Sequence, residues 1–370
     1  MAGPEDAGAS SGEERGAGPP RIAGPRLLAQ RILPRLAALS LGTLLAVLAG
    51  EALLRALRPE AFAPGPSDAA EFVRFDPLLG WSNRPGASGR MRFLPDFDTE
   101  MRISRQGLRD RVFAVPKPPG TRRVLCLGDS FTWGMGVEAS ETWPKVLERA
   151  LGPGFEAVNA GVNGWGTAQE ILWLQDRGAE LAPEAVVLAF YVNDFSDNAS
   201  GRAGPWFRPY FVLEGEAVRL AGTPVPAPSG LSRPLHATLE NHSWLFRVLL
   251  WGRDWVRAGF LEPVDRSPLP RGRRDSPEAF VPGAAVTEAI VRMARDHCAD
   301  RGVRLVVLLV PSRWIVRPAL RGLDRGPVDE RLYEAAAALC ARAGIGTIDP
   351  RDALSRSEER GEPAYHAMDM

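Results

Sequence analysis

From Thr121 onward, short apolar runs alternate with longer segments in which apolar residues recur at helical spacing. The runs predict strands, and the longer segments predict amphipathic helices. The third run is apolar on both faces, as a strand buried inside a parallel sheet requires. The predicted strands are Val124–Leu127, Phe155–Ala160, Ala185–Tyr191, Arg304–Val310 and Ile345–Asp349, and the predicted helices are Trp143–Leu151 (capped by Thr142), Thr167–Leu181, Val286–Arg301 and Val328–Ala343.

This alternation predicts an α/β fold of three layers, α/β/α, around a doubly wound parallel sheet of five strands in a flavodoxin-like arrangement. Such sheets bind ligands at the carboxyl ends of their strands, so the loops that follow the strands are candidate sites. Residues 196–284 interrupt the alternation with frequent Pro, Gly and Arg. Within them we expect a hairpin at Phe211–Leu220 and a helix in Leu239–Val256. We interpret this insertion as a cover over the strand ends.

The amino-terminal part of the chain has a different composition. Residues 1–25 contain almost no large apolar side chains, so we expect residues 1–30 to form a disordered cytoplasmic tail. Leu36–Leu54 contains one charged residue, Glu51, and as a helix it would be about 28 Å long, close to the hydrocarbon thickness of a bilayer. Residues 31–57 therefore predict a transmembrane signal anchor. Basic residues before it orient the amino terminus toward the cytoplasm: Arg21, Arg26, Arg31 and Arg35.

Two other interpretations of this apolar segment stay open. Its short length and the small residues Ala46, Ala49 and Ala52 fit a cleaved signal peptide. It also fits a buried helix of the soluble domain. We favour a retained anchor, because no clean Ala-x-Ala site precedes a polar mature start. With an anchor or a signal peptide, the domain acts outside the cytoplasm.

Residues 58–120 connect this segment to the main domain. Pro59, Pro64 and Pro66 indicate a linker, and the short apolar stretches that follow, broken by Gly and Pro, predict a small β-rich segment. Residues 121–370 are then the main domain.

The whole-chain composition excludes several functions. Lys and Arg total 45, and Asp and Glu also total 45, so the chain lacks the net positive charge that phosphate contacts with nucleic acid require. Cys126, Cys298 and Cys340 are too scattered for a disulfide framework or a zinc site. We therefore expect no metal and no organic cofactor.

Three loops at predicted strand ends carry residues suited to chemistry on a carbonyl group. Ser130 lies in LGDSFTWGMG after the first strand, and backbone N–H groups around such a turn can hold an oxyanion. The loop NAGVNGWGT after the second strand contains glycines that let the backbone approach a reacting group closely. Asn193 follows the third strand, and its carboxamide can donate to the same oxyanion.

Together these loops resemble the sequence blocks of the SGNH or GDSL-type hydrolases, and the FDPLLGW segment and apolar amino terminus resemble bacterial membrane-anchored members. The first block matches Gly128-Asp129-Ser130, and the second matches a glycine five residues after Asn159. The resemblance implies that Ser130 is the nucleophile and that its own N–H, the N–H of Gly164 and the side chain of Asn193 form an oxyanion hole. Gly161 is the less favoured alternative to Gly164. Tyr191 stands where the third block usually has glycine.

The last block of the family supplies an Asp and a His near the carboxyl terminus. Asp369 stands where the resemblance places the aspartate, and the chain ends at Met370 without the histidine. His366 precedes Asp369, the reverse of the family's order, and is a weaker candidate for the base. We expect that the 370 residues end inside this block of a longer enzyme.

These observations favour a serine-dependent ester hydrolase that acts outside the cytoplasm on acylated carbohydrate or lipid. Two alternatives stay open. An O-acyltransferase would use the same covalent intermediate and pass the acyl group to a sugar of a surface polysaccharide, with pocket shape and water exclusion deciding the acceptor. A surface-tethered binding protein would have kept the fold and lost its base.

The reading frame downstream of Met370 tests the expectation about the base. We expect a histidine within a few codons, because the serine needs a base. We also expect the 370-residue chain to turn over p-nitrophenyl acetate slowly or not at all, since oxyanion donors alone leave only residual catalysis. Rapid turnover that is lost in Ser130→Ala would contradict this expectation.

Overall fold

The computed structural model describes residues 25–57, 69–93, 97–203, 206–215, 217–227, 238–239, 242–249, 283–317 and 326–362. The chain divides into two compact units, Met1–Leu57 and Arg58–Met370. The first contains one long helix, α1 (Pro25–Leu57), whose part Leu33–Leu57 has a mean hydropathy of 1.9 and no buried residues. This helix is long and apolar enough to cross a membrane, and a signal sequence near the amino terminus would have the same character.

The second unit is built around a parallel sheet of five strands. The strands of the whole unit, in chain order, are β1 (Val73–Asp76), β2 (Gly80–Asn83), β3 (Ser88–Phe93), β4 (Phe97–Arg102), β5 (Arg122–Leu127), β6 (Phe155–Asn159), β7 (Ala185–Phe190), β8 (Arg202–Ala203), β9 (Trp206–Phe207), β10 (Tyr210–Glu214), β11 (Ala217–Ala221), β12 (Arg304–Leu309) and β13 (Gly346–Ile348). The central sheet has the order β13-β12-β7-β5-β6, and every neighbouring pair is parallel. The predicted doubly wound, flavodoxin-like sheet is therefore confirmed.

Helices flank this sheet. They are α2 (Ser130–Trp133), α3 (Trp143–Leu151), α4 (Thr167–Asp176), α5 (Asp194–Asn198), α6 (Ala284–Ala299), α7 (Arg313–Val316), α8 (Gly326–Arg342) and α9 (Arg351–Glu359), with short 3₁₀ turns at Ala69–Phe72, Ala139–Glu141 and Gly178–Leu181. Helix α6 packs against both α4 and α8, whereas α3 packs against β6. The first eight residues of α4 are all buried, so this helix lies inside the domain and not on its surface.

Two details differ from the predicted helices. The helix predicted over Thr167–Leu181 ends at Asp176 and continues as a 3₁₀ turn, in which Gly178 packs so closely that a Cβ would lie 2.9 Å from Leu174 Cδ1. Thr142 precedes α3 but does not cap it, because its hydroxyl donates to the Ala139 carbonyl at 3.0 Å.

The predicted hairpin at Phe211–Leu220 is present as β10 and β11. Of the predicted helix Leu239–Val256, the structure describes residues 239 and 242–249.

The β-rich segment predicted between residues 71 and 115 consists of two antiparallel hairpins, β1–β2 and β3–β4. In the first hairpin Phe75 pairs with Trp81, and Val73 pairs with Asn83. Every residue of β2 is buried, which an exposed hairpin of this length would not show. The hairpin β1–β2 is therefore part of the packed domain.

The buried side chain of Arg123 joins the start of β5 to three other segments. Its Nε donates to Glu156 Oε2 at 2.6 Å, its Nη1 to the Leu181 carbonyl at 3.0 Å and its Nη2 to the Ala114 carbonyl at 2.8 Å. The side chain has no exposed surface. A buried cation with this many bonds stabilises the fold only while all its partners are present.

We expect Arg123→Ala to lower the free energy of unfolding by about 3–5 kcal/mol, because it leaves two carbonyls without their partner and removes the closer of the two arginines that pair with Glu156. Urea unfolding followed by circular dichroism measures the change. Arg219→Ala is the matched control, since Arg219 and Glu214 form a pair that is 58% and 57% exposed. Its expected loss is below about 1 kcal/mol. Equal losses in the two variants would contradict this assignment.

Candidate active site

Three loops meet at the carboxyl edge of the sheet. Strand β5 lies between β6 and β7, and Cys126 pairs with Asn159 while Leu127 pairs with Leu188, so the three strands end at nearly the same level. The loop after β6 contacts the loop after β5 through a hydrogen bond from Val162 N to the Gly128 carbonyl at 3.1 Å. The sequence prediction that these loops share one edge is confirmed by this register.

The aromatic rings of Phe131 and Tyr191 join the loop after β5 to the loop after β7, with ring centroids 4.8 Å apart. Phe131 follows Ser130 directly in the chain. Tyr191, at the position where the family's third block usually has glycine, therefore packs beside the residue that follows the candidate nucleophile.

Ser130 is the first residue of the short helix α2. Its N–H has no acceptor within the helix, as is general for the first residue of a helix. Asp129 precedes it, and the Asp129 carboxylate accepts a hydrogen bond from Phe131 N at 3.0 Å. Asp129 therefore caps the helix. The residue Ser130 is half-buried.

Gly128 makes the turn before Ser130 possible. Its φ is +154°, and a Cβ there would lie 2.0 Å from the hydroxyl oxygen of Thr132 and 3.0 Å from the Cβ of Ala189. No other residue fits this backbone without moving β7 or the serine helix. The glycine of the GDS triplet is therefore required by close packing.

The two candidate glycines of the second loop differ in their surroundings. Gly161 is buried, its N–H donates to Asn159 Oδ1 at 3.1 Å, and a Cβ there would lie 2.3 Å from Trp133 N. Gly164 is exposed with φ of +75°, and its N–H makes no hydrogen bond within the described residues. Gly161 thus serves close packing against α2, whereas Gly164 keeps a free donor.

The hairpin β1–β2 holds this second loop in place. Trp81 Nε1 donates to the Asn163 carbonyl at 2.9 Å, and Trp165 Nε1 donates to the Trp81 carbonyl at 2.9 Å. Asn83 Nδ2 donates to the Gly161 carbonyl at 3.2 Å, while Asn83 Oδ1 accepts from Trp133 Nε1 at 3.1 Å. These bonds connect the backbone beside Gly164 to the serine helix through the hairpin. Sequence reasoning missed Trp81 and Asn83, because it predicted a small β-rich segment here and assigned that segment no part in the site.

The buried guanidinium of Arg109 holds the carboxyl end of α2. It donates through Nη1 to the Trp133 carbonyl at 2.7 Å and also to the Gly134 carbonyl, and through Nη2 to the Val137 carbonyl at 2.5 Å. Burial lowers the pKa of Arg109 to about 10, so the side chain stays protonated at neutral pH. Arg109 thereby fixes the turn that follows Ser130.

Asn193 precedes α5, at the end of the loop after β7. Its Nδ2 donates to Asp197 Oδ2 at 3.1 Å, and its Oδ1 is buried without a hydrogen-bond partner in the described structure. A carboxamide nitrogen carries two N–H groups, so one bond to Asp197 leaves a second donor.

A group of buried carboxyls lies in the same loops and in α4. Asp129, Glu170 and Asp194 are 5%, 0% and 1% exposed. Burial, together with a smaller contribution from the neighbouring Asp197, raises the pKa of Asp129 to about 7. Burial also raises the pKa of Glu170 and of Asp194, and each is near at least one other carboxyl of the group. Neither oxygen of Glu170 has a hydrogen-bond partner among the described residues.

The remaining candidates from the sequence are not brought to this edge by the described structure. Asp369 and His366 lie outside the described residues. His297 lines a cavity of about 380 Å³ with Pro183, which precedes β7 and so lies at the opposite edge of the sheet. His297 is half-buried.

The comparison with protein families gives the class of this domain. Residues 126–367 match the model of the GDSL-like lipase/acylhydrolase family, a stretch that contains Ser130, Gly164 and Asn193. The chain belongs to the GDSL-like lipase/acylhydrolase family. It is thus a member of a family of ester-bond hydrolases. No sequence among the curated proteins matches it.

Several solved structures are similar to the chain at low sequence identity. "Crystal Structure of TesA" is 15% identical over 67% of this chain and 86% of that chain, with a TM-score of 0.33. An acetyl xylan esterase, AlAXEase, is 13% identical over 65% and 82%, with a TM-score of 0.35. A member of the lipolytic G-D-S-L family from Veillonella parvula DSM 2008 is 14% identical over 65% and 84%, with a TM-score of 0.33.

The raised pKa of Glu170 predicts a specific dependence of stability on pH. Near pH 4 the carboxyl is protonated in the folded chain and largely so in the unfolded chain, whose ordinary value is 4.5. As the pH rises above this value, the unfolded chain releases the proton and the folded chain keeps it, so the folded state loses stability by up to about 1.4 kcal/mol per pH unit. This loss continues until the pH reaches the raised value of the folded state.

Glu170→Gln removes this titrating group and keeps its size. We therefore expect the stability of the variant, relative to the unsubstituted protein, to increase steadily between pH 5 and pH 8, measured by urea midpoints. Glu180→Gln, at an exposed position of the 3₁₀ turn after α4, is the matched control for the loss of a carboxyl. A Glu170→Gln difference that is independent of pH would show that this carboxyl is ionised in the folded protein.

Proposed function

We propose that the protein is a serine-dependent ester hydrolase with Ser130 as its nucleophile. The observation that carries the proposal is the position of Ser130 at the start of α2, at the carboxyl edge of the sheet. The loop with the free N–H of Gly164 and the loop with Asn193 both contact the serine loop or its helix. Family membership supports chemistry on ester bonds.

In this mechanism the Ser130 hydroxyl attacks the carbonyl carbon of the acyl group and forms a tetrahedral intermediate. The N–H groups of Ser130 and Gly164 and the second N–H of Asn193 donate to its oxyanion. The family's terminal Asp–His pair, with Asp369 as its aspartate, takes the serine proton and gives it to the leaving alcohol. Water then attacks the acyl-enzyme, and the same pair takes a proton from this water and gives it to Ser130 as the acid is released.

We propose further that the reaction takes place outside the cytoplasm, on acyl groups of carbohydrate or lipid. Helix α1 supports an anchor, because its apolar span has no buried residues and follows an arginine-rich segment. A retained anchor would keep the enzyme beside the polymers and lipids of the cell surface. Analysis of the products formed from an acylated donor, with a polysaccharide present, distinguishes hydrolysis from acyl transfer.

Active-site labelling tests the role of Ser130 in a protein whose last block carries both the aspartate and the histidine of the family. We expect a fluorophosphonate probe to modify Ser130, because the oxyanion donors bind the phosphonyl oxygen as they bind the developing oxyanion. Ser130→Ala should lose labelling and should lower kcat for p-nitrophenyl acetate by about 10³-fold or more. Ser140→Ala, an exposed serine on the turn Ala139–Glu141, is the control and should be labelled and active like the parent protein. An unlabelled parent that binds glycans would instead support a binding protein.

A further inference from the structure

An ion pair lies directly behind the carboxamide of Asn193. Asp197 Oδ2 accepts from Asn193 Nδ2 at 3.1 Å, and Asp197 Oδ1 accepts from Arg208 Nη2 at 3.1 Å. The side chains of Arg208 and Asp197 are 5% and 20% exposed, so the pair is largely shielded from water. We propose that Asp197 and Arg208 are positioning residues, which hold the Asn193 carboxamide in the orientation that donates to the oxyanion. This inference rests on the proposed function.

The carboxylate decides which end of the carboxamide faces it. A carboxamide can exchange its oxygen and nitrogen by a half-turn, and the two arrangements have nearly the same shape. An ionised carboxylate only accepts hydrogen bonds, so it attracts the nitrogen of Asn193 and repels the oxygen. Asn193 Oδ1 has no partner within the described residues, so Asp197 supplies the side-chain hydrogen bond that fixes the group. The second N–H of Asn193 stays available for the substrate.

The backbone sets the distance between the two side chains. Asp197 lies one helical turn after Asn193, and its N–H donates to the Asn193 carbonyl at 3.0 Å. Gly166, in the loop after β6, packs against α5 so closely that a Cβ there would lie 2.9 Å from Asp197 Cβ. The second loop therefore fixes the position of Asp197 from the other side.

Arg208 holds the carboxylate of Asp197 in place through their ion pair. Its N–H donates to the Gly201 carbonyl at 3.1 Å, and its guanidinium carbon lies 5.8 Å from the centre of the Trp81 ring. The Nε and Nη1 atoms are buried without acceptors in the described structure. The guanidinium thus depends on Asp197 for its charge partner, and Asp197 depends on Arg208. Because Arg208 belongs to the interruption of the α/β pattern, this insertion takes part in the site and does not only cover it.

Substitution of Asp197 tests this role in the same parent protein as the Ser130 experiment, with p-nitrophenyl acetate as substrate. We expect Asp197→Asn to lower kcat by about 10- to 100-fold with KM changed by less than about twofold, because an oxyanion donor acts mainly in the transition state. Asn193→Ala should lower kcat by about 10²- to 10³-fold. Asp176→Asn, which removes a carboxylate from an exposed pair with Arg177, is the control and should leave kcat unchanged.

The double variant separates positioning from a general effect on the fold. If Asp197 acts through the carboxamide, then Asn193→Ala combined with Asp197→Asn is no slower than Asn193→Ala alone. If the two losses instead multiply, the pair acts on the site in another way and the proposal is overturned. Arg208→Gln gives the same comparison where Asp197→Asn does not fold, with a smaller loss that also disappears in the Asn193→Ala background.

Two further outcomes distinguish this proposal from the proposed function. If Asn193→Ala keeps full kcat while Ser130→Ala abolishes turnover, the protein is a serine hydrolase and the positioning role is overturned. If Ser130→Ala keeps full turnover, the proposed function itself fails, together with the oxyanion role of Asn193.

Discussion

The carboxamide of Asn83 joins the parts of the site that no stretch of the sequence brings together. It donates to the Gly107 carbonyl at 3.0 Å and to the Gly161 carbonyl at 3.2 Å, and it accepts from Trp133 Nε1 at 3.1 Å. The residue is 3% exposed, so each of these bonds is made away from bulk water. A buried carboxamide with its partners satisfied favours one arrangement of the surrounding segments, since any other leaves polar groups unpaired. The serine helix and the loop of Gly164 are therefore placed relative to each other by a residue outside both.

The packed unit around the candidate site consequently extends upstream of the family match. That match begins at residue 126, whereas β2 ends at Asn83 and Arg109 lies between them. Trp81 and Asn83 hold the second loop, and Arg109 holds the turn after the serine helix. The hairpin β1–β2 and the segment after it thus complete a scaffold that the matched residues contain only in part.

The contrast between what the sequence predicts and what it leaves hidden has a physical basis. The strands were predictable because each is a short apolar run, and the loops at their ends follow from the parallel arrangement. Asn83 was not, because its partners are chosen by tertiary packing; Asn83 and Gly161 are 78 positions apart. Asp197 is only four positions from Asn193, but its pairing with Arg208 depends on how the insertion folds. Glu170 gave no signal either. The sequence places apolar residues on one face of its helix, α4, yet in the structure this glutamate is buried as deeply as its apolar neighbours.

The buried carboxyls bear on the chemistry proposed for Ser130. A tetrahedral intermediate places a negative charge beside the loops that contain Asp129 and Asp194. An ionised carboxylate at short range in a dry interior would repel that charge strongly. Burial raises the pKa of the carboxyls of Asp129, Glu170 and Asp194 and so favours their neutral forms, which do not repel the oxyanion in this way. Asp197, which accepts a hydrogen bond from Asn193, is instead paired with an arginine. The carboxyls near Ser130 are therefore of two kinds. Burial favours the neutral form of three of them, and an ion pair with Arg208 holds the fourth.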